Sequence, residues 1–119
     1  MQDGFISLAA QRRTIYALGK TLPVAEADVV SLIKDAIRQA PSAFNSQSSR
    51  ALILLGAEHN KFWELTREQL RKIVPAEHFQ GTSQKIDSFA AAAGSVLFFE
   101  DQDVVKGLKE KFAAYAHNF

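Results

Sequence analysis

The scarcity of strand-forming segments limits the fold of this 119-residue sequence more than any other feature. Two short runs, 51–55 and 96–99, read as buried strands because they are continuously apolar and a glycine borders or closely precedes each of them. Helical spacing of apolar residues predicts five helices, at 3–12, 25–39, 60–74, 83–93 and 102–114. Two strands alone make a poor sheet, so the pattern predicts one helix-rich domain over residues 1–119.

Composition excludes several classes of protein. Hydrophobic residues make up 47% and charged residues 23%, which is typical of a globular domain. Fourteen basic and thirteen acidic residues leave a net charge of +1, too little to attract nucleic acid or an anionic membrane. There is no cysteine, no pair of histidines at metal-ligand spacing and no secretory signal at the start. We therefore expect a soluble cytoplasmic protein without a metal site, a membrane partner or a nucleic-acid partner.

Two polar segments could carry chemistry. Arg12-Arg13-Thr14 follows the first helix, and two guanidiniums with a hydroxyl suit a phosphate group; the alternative is a pair of solvated arginines at a helix end. The loop 41–47 offers hydroxyl and amide groups between a helix and a strand. It could bind a planar heterocycle or a ribityl chain, or its side chains could simply satisfy the local backbone. Composition alone leaves both alternatives open.

The histidines are weaker candidates. His59 and His78 each follow a glutamate, but adjacent residues on a helix do not face each other. We expect both to be exposed residues near helix starts.

Two motifs stand on either side of one predicted helix: Ala10-Gln11-Arg12-Arg13-Thr14-Ile15-Tyr16 and Ala40-Pro41-Ser42-Ala43-Phe44-Asn45-Ser46-Gln47. Together they resemble the flavin-dependent nitroreductase family, whose pattern is a helix, an R-R-S/T-I-R-like segment, a second helix and a P-S-x-x-N-x-Q loop. Lys85-Ile86 and the run 96–101 are similar to the subgroup that includes the yeast fatty-acid-repression-mutant proteins and bacterial copper-induced nitroreductases. The resemblance covers almost the whole chain in the family's order.

The resemblance implies an α+β, nitroreductase-like fold, with helices around a central sheet and FMN at the interface of a homodimer. The implied flavin contacts fall into two groups, one from each subunit. One subunit contributes Arg12, Arg13, Thr14 and Tyr16, with Arg12 at the phosphate. The partner contributes Pro41, Ser42, Ala43 and Asn45. The family also places a further polar flavin contact near Lys85.

The resemblance further implies that the chemistry takes place on the flavin and that no side chain is catalytic. NAD(P)H would deliver a hydride to the flavin, and a nitroaromatic or quinone-like small molecule would accept it. Tyr16 stands where many relatives have Arg or Lys, so a phenol would tune the N1–C2=O edge of the flavin without adding positive charge. Ser48 replaces the proline that often follows the Gln of the loop.

Family members continue well beyond Phe119. The resemblance therefore implies the N-terminal part of such an enzyme, with a fold that is incomplete without a C-terminal part or a partner chain. Two other functions stay open. The chain could be a truncated, non-catalytic module for flavin binding, dimerisation or regulation. It could also bind a small phosphate ligand or nucleic acid through Arg12 and Arg13, which the net charge disfavours.

Overall fold

A computed structural model describes residues 2–119. Five α-helices lie within this range: α1 Gln2–Gln11, α2 Glu26–Gln39, α3 Gly56–Arg71, α4 Ala76–Ala90 and α5 Gln102–Lys111. Two strands, β1 Ser49–Leu55 and β2 Gly94–Glu100, and two short 3-10 turns, Ala43–Asn45 and Ala113–Asn118, complete the described elements. None of these helices is both long and apolar enough to cross a membrane.

The two strands form an antiparallel pair, in register from Ser49 opposite Glu100 to Leu55 opposite Gly94. The sequence therefore predicted both strands of the described sheet, although each extends beyond its apolar run. The backbones of the two strands approach each other closely at the start of β2. A Cβ atom on Gly94 would lie 2.6 Å from Leu55 Cδ2 and 2.8 Å from the carbonyl oxygen of Leu54. These distances are too short for a side chain at this position, so only glycine fits without a shift of the neighbouring strand.

The predicted starts of two helices are wrong. α3 begins at Gly56 rather than at residue 60, because Gly56 adopts a φ of +51° and turns the chain directly from strand to helix. α4 begins at Ala76 rather than at residue 83. The preceding helix already ends at Arg71, before Pro75 is reached, and Pro75, with a φ of −53° and a ψ of 143°, is the N-cap of α4.

The best-buried part of the chain is the α3–α4 hairpin against the sheet. Ile86 of α4 is 3% exposed, and His59 of α3 is fully buried. The expectation that His59 is exposed is therefore wrong, whereas His78 near the start of α4 is exposed as predicted. His59 Nε2 donates to the carbonyl of Ala90 at 3.1 Å, so its Nδ1 accepts from the Ser95 hydroxyl at 3.0 Å.

A large apolar surface remains exposed on the N-terminal part of the chain. The radius of gyration is 18.4 Å, whereas a compact domain of this length has about 13–14 Å. The accessible surface is 9477 Å², against about 6,400 Å² for a compact monomer of this mass. Phe5, Leu8, Ile15 and Tyr16 all lie on the exposed surface. Residues 12–25 form neither helix nor strand, as predicted for most of this segment.

Candidate functional site

The loop between α2 and β1 has an unusual backbone. Phe44, Asn45 and Gln47 adopt positive φ values of 52°, 51° and 50°. The left-handed region costs a residue with a side chain about 1–2 kcal/mol, although asparagine tolerates it better than most. Three such residues within four positions indicate a conformation that other contacts impose.

Hydrogen bonds within the loop close it into a tight turn. The Asn45 amide donates to the Ser42 carbonyl and the Ser46 amide to the Ala43 carbonyl, each at 3.0 Å. The Gln47 amide donates to the Ser42 hydroxyl oxygen at 3.0 Å. Ser42 therefore organises the turn through both its backbone and its side chain.

An aromatic cluster holds the tip of the loop from the C-terminal side of the chain. The Phe44 ring stacks on Phe112 at 4.4 Å between centroids and lies 5.7 Å from Phe119 and 6.3 Å from Tyr115. The loop motif did not mark Phe44 as important. The aromatic residues that follow α5 are the sequence signal that could have suggested a partner for it.

A carboxylate holds the other end of the loop. Glu100, the last residue of β2, accepts from the Ser48 hydroxyl at 2.5 Å and from the Ser49 hydroxyl at 2.7 Å. The hydrogen bond from Ser48 and, next, the one from Ser49 lower the pKa of Glu100. Partial burial opposes this shift, and the nearby positive charge of Arg50 adds slightly to it. The Asp101 amide also donates to the Ser48 carbonyl at 2.8 Å. Sequence reasoning noted Ser48 only as a departure from proline and missed Glu100 as its partner.

Clefts flank the loop on two sides. One, of about 360 Å³, is lined in part by Pro41, Ser42, Ala43 and Glu100. The other, of about 300 Å³, is lined in part by Pro41, Ser42 and Asn45. Pro41 and Ser42 line both clefts, whereas Ala43 and Glu100 line only the first and Asn45 only the second.

The remaining candidate residues lie elsewhere. Arg12, Arg13, Thr14 and Tyr16 are exposed on the irregular segment after α1, and Lys85 is exposed on α4. None of these five residues lines either of the two clefts. Among the side chains described, from Gly4 to Phe119, neither Arg12 nor Arg13 forms an ion pair. Their guanidinium groups are thus available to an anion.

Comparisons with known proteins give one consistent result. The sequence model of the Nitroreductase family matches residues 9–118. The Saccharomyces cerevisiae proteins HBN1 and nitroreductase FRM2 are 38% and 30% identical over 117 residues, which is 97% of this chain. The structure of nitroreductase CinD from Lactococcus lactis in complex with chloramphenicol is 45% identical, with a TM-score of 0.79 over 97% of this chain and 57% of CinD.

The comparisons also show that the match is partial. The chain spans 58% of the length of each of the two yeast relatives. The fold common to this chain and to CinD thus corresponds to somewhat more than half of the solved structure.

Proposed function

The chain belongs to the nitroreductase family, and from that membership we propose that it functions in the cytoplasm as part of an FMN-dependent oxidoreductase. NAD(P)H would be the reductant, and a nitroaromatic or quinone-like molecule the acceptor. Nitroreductase CinD supports this class of acceptor, because chloramphenicol, named in its complex, carries a nitroaromatic ring.

The loop between α2 and β1 is the observation that carries the proposal. Three of its residues keep a strained left-handed backbone next to side chains that can hydrogen-bond a ligand. Such strain is typical of a binding site whose shape is fixed before the ligand arrives. Ser42 has its hydroxyl oxygen occupied by the Gln47 amide, so its proton is free to be donated. Asn45 presents an exposed amide beside it. These groups match the polar edge of a flavin ring or the hydroxyls of its ribityl chain.

The segment after α1 suits the other end of the cofactor. A guanidinium pairs with phosphate oxygens through two parallel hydrogen bonds, and the Arg12 and Arg13 side chains have no carboxylate that competes for them among the described residues. Thr14 adds a neutral donor. When bound, FMN would supply the redox chemistry between NAD(P)H and the acceptor. Tyr16 would contribute a hydrogen bond near the flavin ring, and we assign Lys85 a secondary polar contact.

We further propose that the site is completed in a homodimer. The loop and the Arg12 segment occupy separate surfaces of one chain, and the exposed apolar residues of α1 and of the segment after it call for a covering partner. In such a dimer the loop of one protomer and Arg12 of its partner would contact the same FMN.

Flavin binding is the first test. The product of the complete gene should purify with a yellow chromophore, or acquire one when FMN is added. Arg12→Ala should raise the Kd for FMN by about 10- to 100-fold, the effect of losing a charge-assisted phosphate contact. Arg71→Ala removes the same charge from the far end of α3 and is the matched control. A colourless wild-type protein that takes up no FMN would refute the proposal.

A mixed dimer tests the shared site. One protomer carries Arg12→Ala and the other carries Asn45→Gly, which removes the amide but permits the left-handed backbone. If each FMN is shared between protomers, the mixed dimer keeps one intact site and binds half the normal amount of FMN tightly. Two weakened sites would show instead that both groups act within one chain.

The alternative is a non-catalytic flavin-binding, dimerising or regulatory module, which the exposed apolar residues of the N-terminal part also fit. Oxidation of NADH or NADPH with a nitroaromatic acceptor distinguishes the two functions. FMN binding without turnover would support the module, whereas turnover that Arg12→Ala abolishes would exclude it.

A further inference from the structure

The segment 12–25 has little internal structure to fix its shape. Within it, the Arg12 amide closes the end of α1 on the Leu8 carbonyl, and the Leu18 amide donates to the Tyr16 carbonyl at 2.9 Å. Every residue from Arg12 to Lys20 is exposed. A segment that presents a phosphate-binding arginine in a fixed place needs a connection to the folded body of the protein.

Lys20 provides such a connection. Its ammonium donates to the Ala90 carbonyl at 2.7 Å, to the Ala92 carbonyl at 2.8 Å and to Asn60 Oδ1 at 3.1 Å. An ammonium has three N–H donors, so all three are used. Among the side chains described from Gly4 onwards, no other side chain of the segment 12–25 makes a hydrogen bond to the rest of the chain.

The acceptors explain why this position requires a cation. Ala90 ends α4, where carbonyl groups lack helical partners and the helix dipole is negative. In the described part of the chain Lys20 has no carboxylate partner, so it is held by these dipoles alone. A neutral side chain of the same length would lose the attraction.

The acceptor at Ala90 is itself fixed from the buried side. The same carbonyl oxygen accepts from His59 Nε2 at 3.1 Å, and Ser95 joins His59 to the Trp63 indole through hydrogen bonds of 3.0 and 3.1 Å. Lys20 therefore attaches the exposed segment to a hydrogen-bonded network at the centre of the α3–α4 hairpin.

We propose that Lys20 is a positioning residue for the cofactor: by docking on the carbonyl groups that end α4 and on Asn60, it holds the segment that carries Arg12 and Arg13 in the shape that binds the FMN phosphate. This role rests on the proposed function. It requires no contact between Lys20 and the flavin, because Lys20 acts through the backbone between residues 12 and 20.

Tryptic cleavage tests the attachment without any cofactor. In the product of the complete gene, Lys20→Met keeps an unbranched apolar side chain but removes the cation, and Lys61→Met removes a lysine from the exposed face of α3 as a control. Cleavage of the FMN-free protein after Arg12 and Arg13, followed by mass spectrometry, should be faster in Lys20→Met and unchanged in Lys61→Met. Equal cleavage in wild type and Lys20→Met would overturn the proposal.

FMN titration then tests the positioning role. If loss of the attachment leaves the binding shape populated in about a tenth of the molecules, the apparent Kd for FMN rises about tenfold. Lys20→Arg, which retains a cation, should recover part of this loss, whereas a merely structural role would lower the unfolding midpoint without this pattern. Asn60→Ala removes one of the three acceptors of Lys20 and should raise the Kd for FMN by a smaller factor. This variant provides the test if Lys20→Met fails to fold.

The two possible failures are distinguishable. Faster cleavage with unchanged FMN affinity would overturn the positioning role while leaving the proposed function intact. A wild-type protein that binds no FMN would overturn the proposed function and the positioning role together, while the cleavage comparison would still decide whether Lys20 attaches the segment.

Discussion

The substitution Phe44→Gly sets two effects of known sign against each other in the loop between α2 and β1. Glycine adopts the left-handed backbone freely, so the substitution removes about 1–2 kcal/mol of strain, but it loosens the unfolded chain by about 0.5–1 kcal/mol. It also deletes the ring that stacks on Phe112.

The aromatic contacts should outweigh the strain. Phe44 is 55% exposed, so roughly 90 Å² of its surface is covered, for which burial contributes about 2 kcal/mol. Ring stacking adds about 1 kcal/mol. The net expectation is that Phe44→Gly destabilises the loop by about 2 kcal/mol.

Hydrogen exchange at the loop amides measures this quantity locally. The amides of Asn45, Ser46 and Gln47 are all hydrogen-bonded within the turn, so they exchange only when it opens. A loss of 2 kcal/mol corresponds to exchange about 30-fold faster. Phe44→Leu keeps the strain and part of the covered area, and should give an intermediate rate.

Gln47→Gly is the matched control. Gln47 has the same left-handed backbone, but its exposed side chain makes no hydrogen bond to the residues described. Glycine at this position should therefore stabilise the turn by about 0.5–1 kcal/mol and slow exchange by about two- to fivefold. If exchange slows or stays the same in Phe44→Gly, strain rather than the aromatic cluster governs the loop, and the reasoning is refuted.

Two further predictions concern the sheet that carries the loop. Because the folded pKa of Glu100 lies below its usual 4.5, its carboxylate stabilises the fold above that pH, and this contribution is lost as the pH falls through the folded pKa. Unfolding midpoints of wild type and Glu100→Gln should therefore differ at neutral pH and converge in acid; a constant difference would contradict this. Gly94→Ala should destabilise the fold by about 1–3 kcal/mol through its clash with the Leu54 carbonyl, whereas Gly81→Ala, with open space around it, should stabilise α4 by about 0.5–1 kcal/mol in thermal unfolding.

Hydrophobic periodicity was sufficient to predict the type and order of the main elements, but not where two helices begin. Gly56 and Pro75 were interpreted as ends, and each also permits a new helix to start at once. The error at Gly56 led to the error at His59. Once α3 begins at Gly56, His59 lies one helical turn from Phe62 and Trp63 and faces the interior with them.

The candidate site shows a different limit of prediction from sequence. Residue types at Ser42 and Asn45 indicated hydrogen-bonding capacity, and only the resemblance of the motifs to the nitroreductase family implied a flavin. The left-handed backbone at Phe44 and Gln47 could not be predicted, because neither residue type favours it. The Phe44 ring packs on aromatic residues after α5, and Ser48, next to Gln47, hydrogen-bonds Glu100; these partners lie far along the sequence.

The two halves of the proposed flavin site are held in different ways. The loop is fixed within one chain from three directions, by Phe44, by the Ser42 turn and by Glu100. Lys20 is the only described side chain of the segment 12–25 that hydrogen-bonds the rest of the chain, and apolar residues around Arg12 stay exposed. A binding segment with many internal contacts has its shape before the subunits assemble. A segment with few contacts becomes ordered only when a partner surface covers it. In the proposed dimer, the loop would therefore set the specificity for the flavin, and assembly would set the affinity for its phosphate.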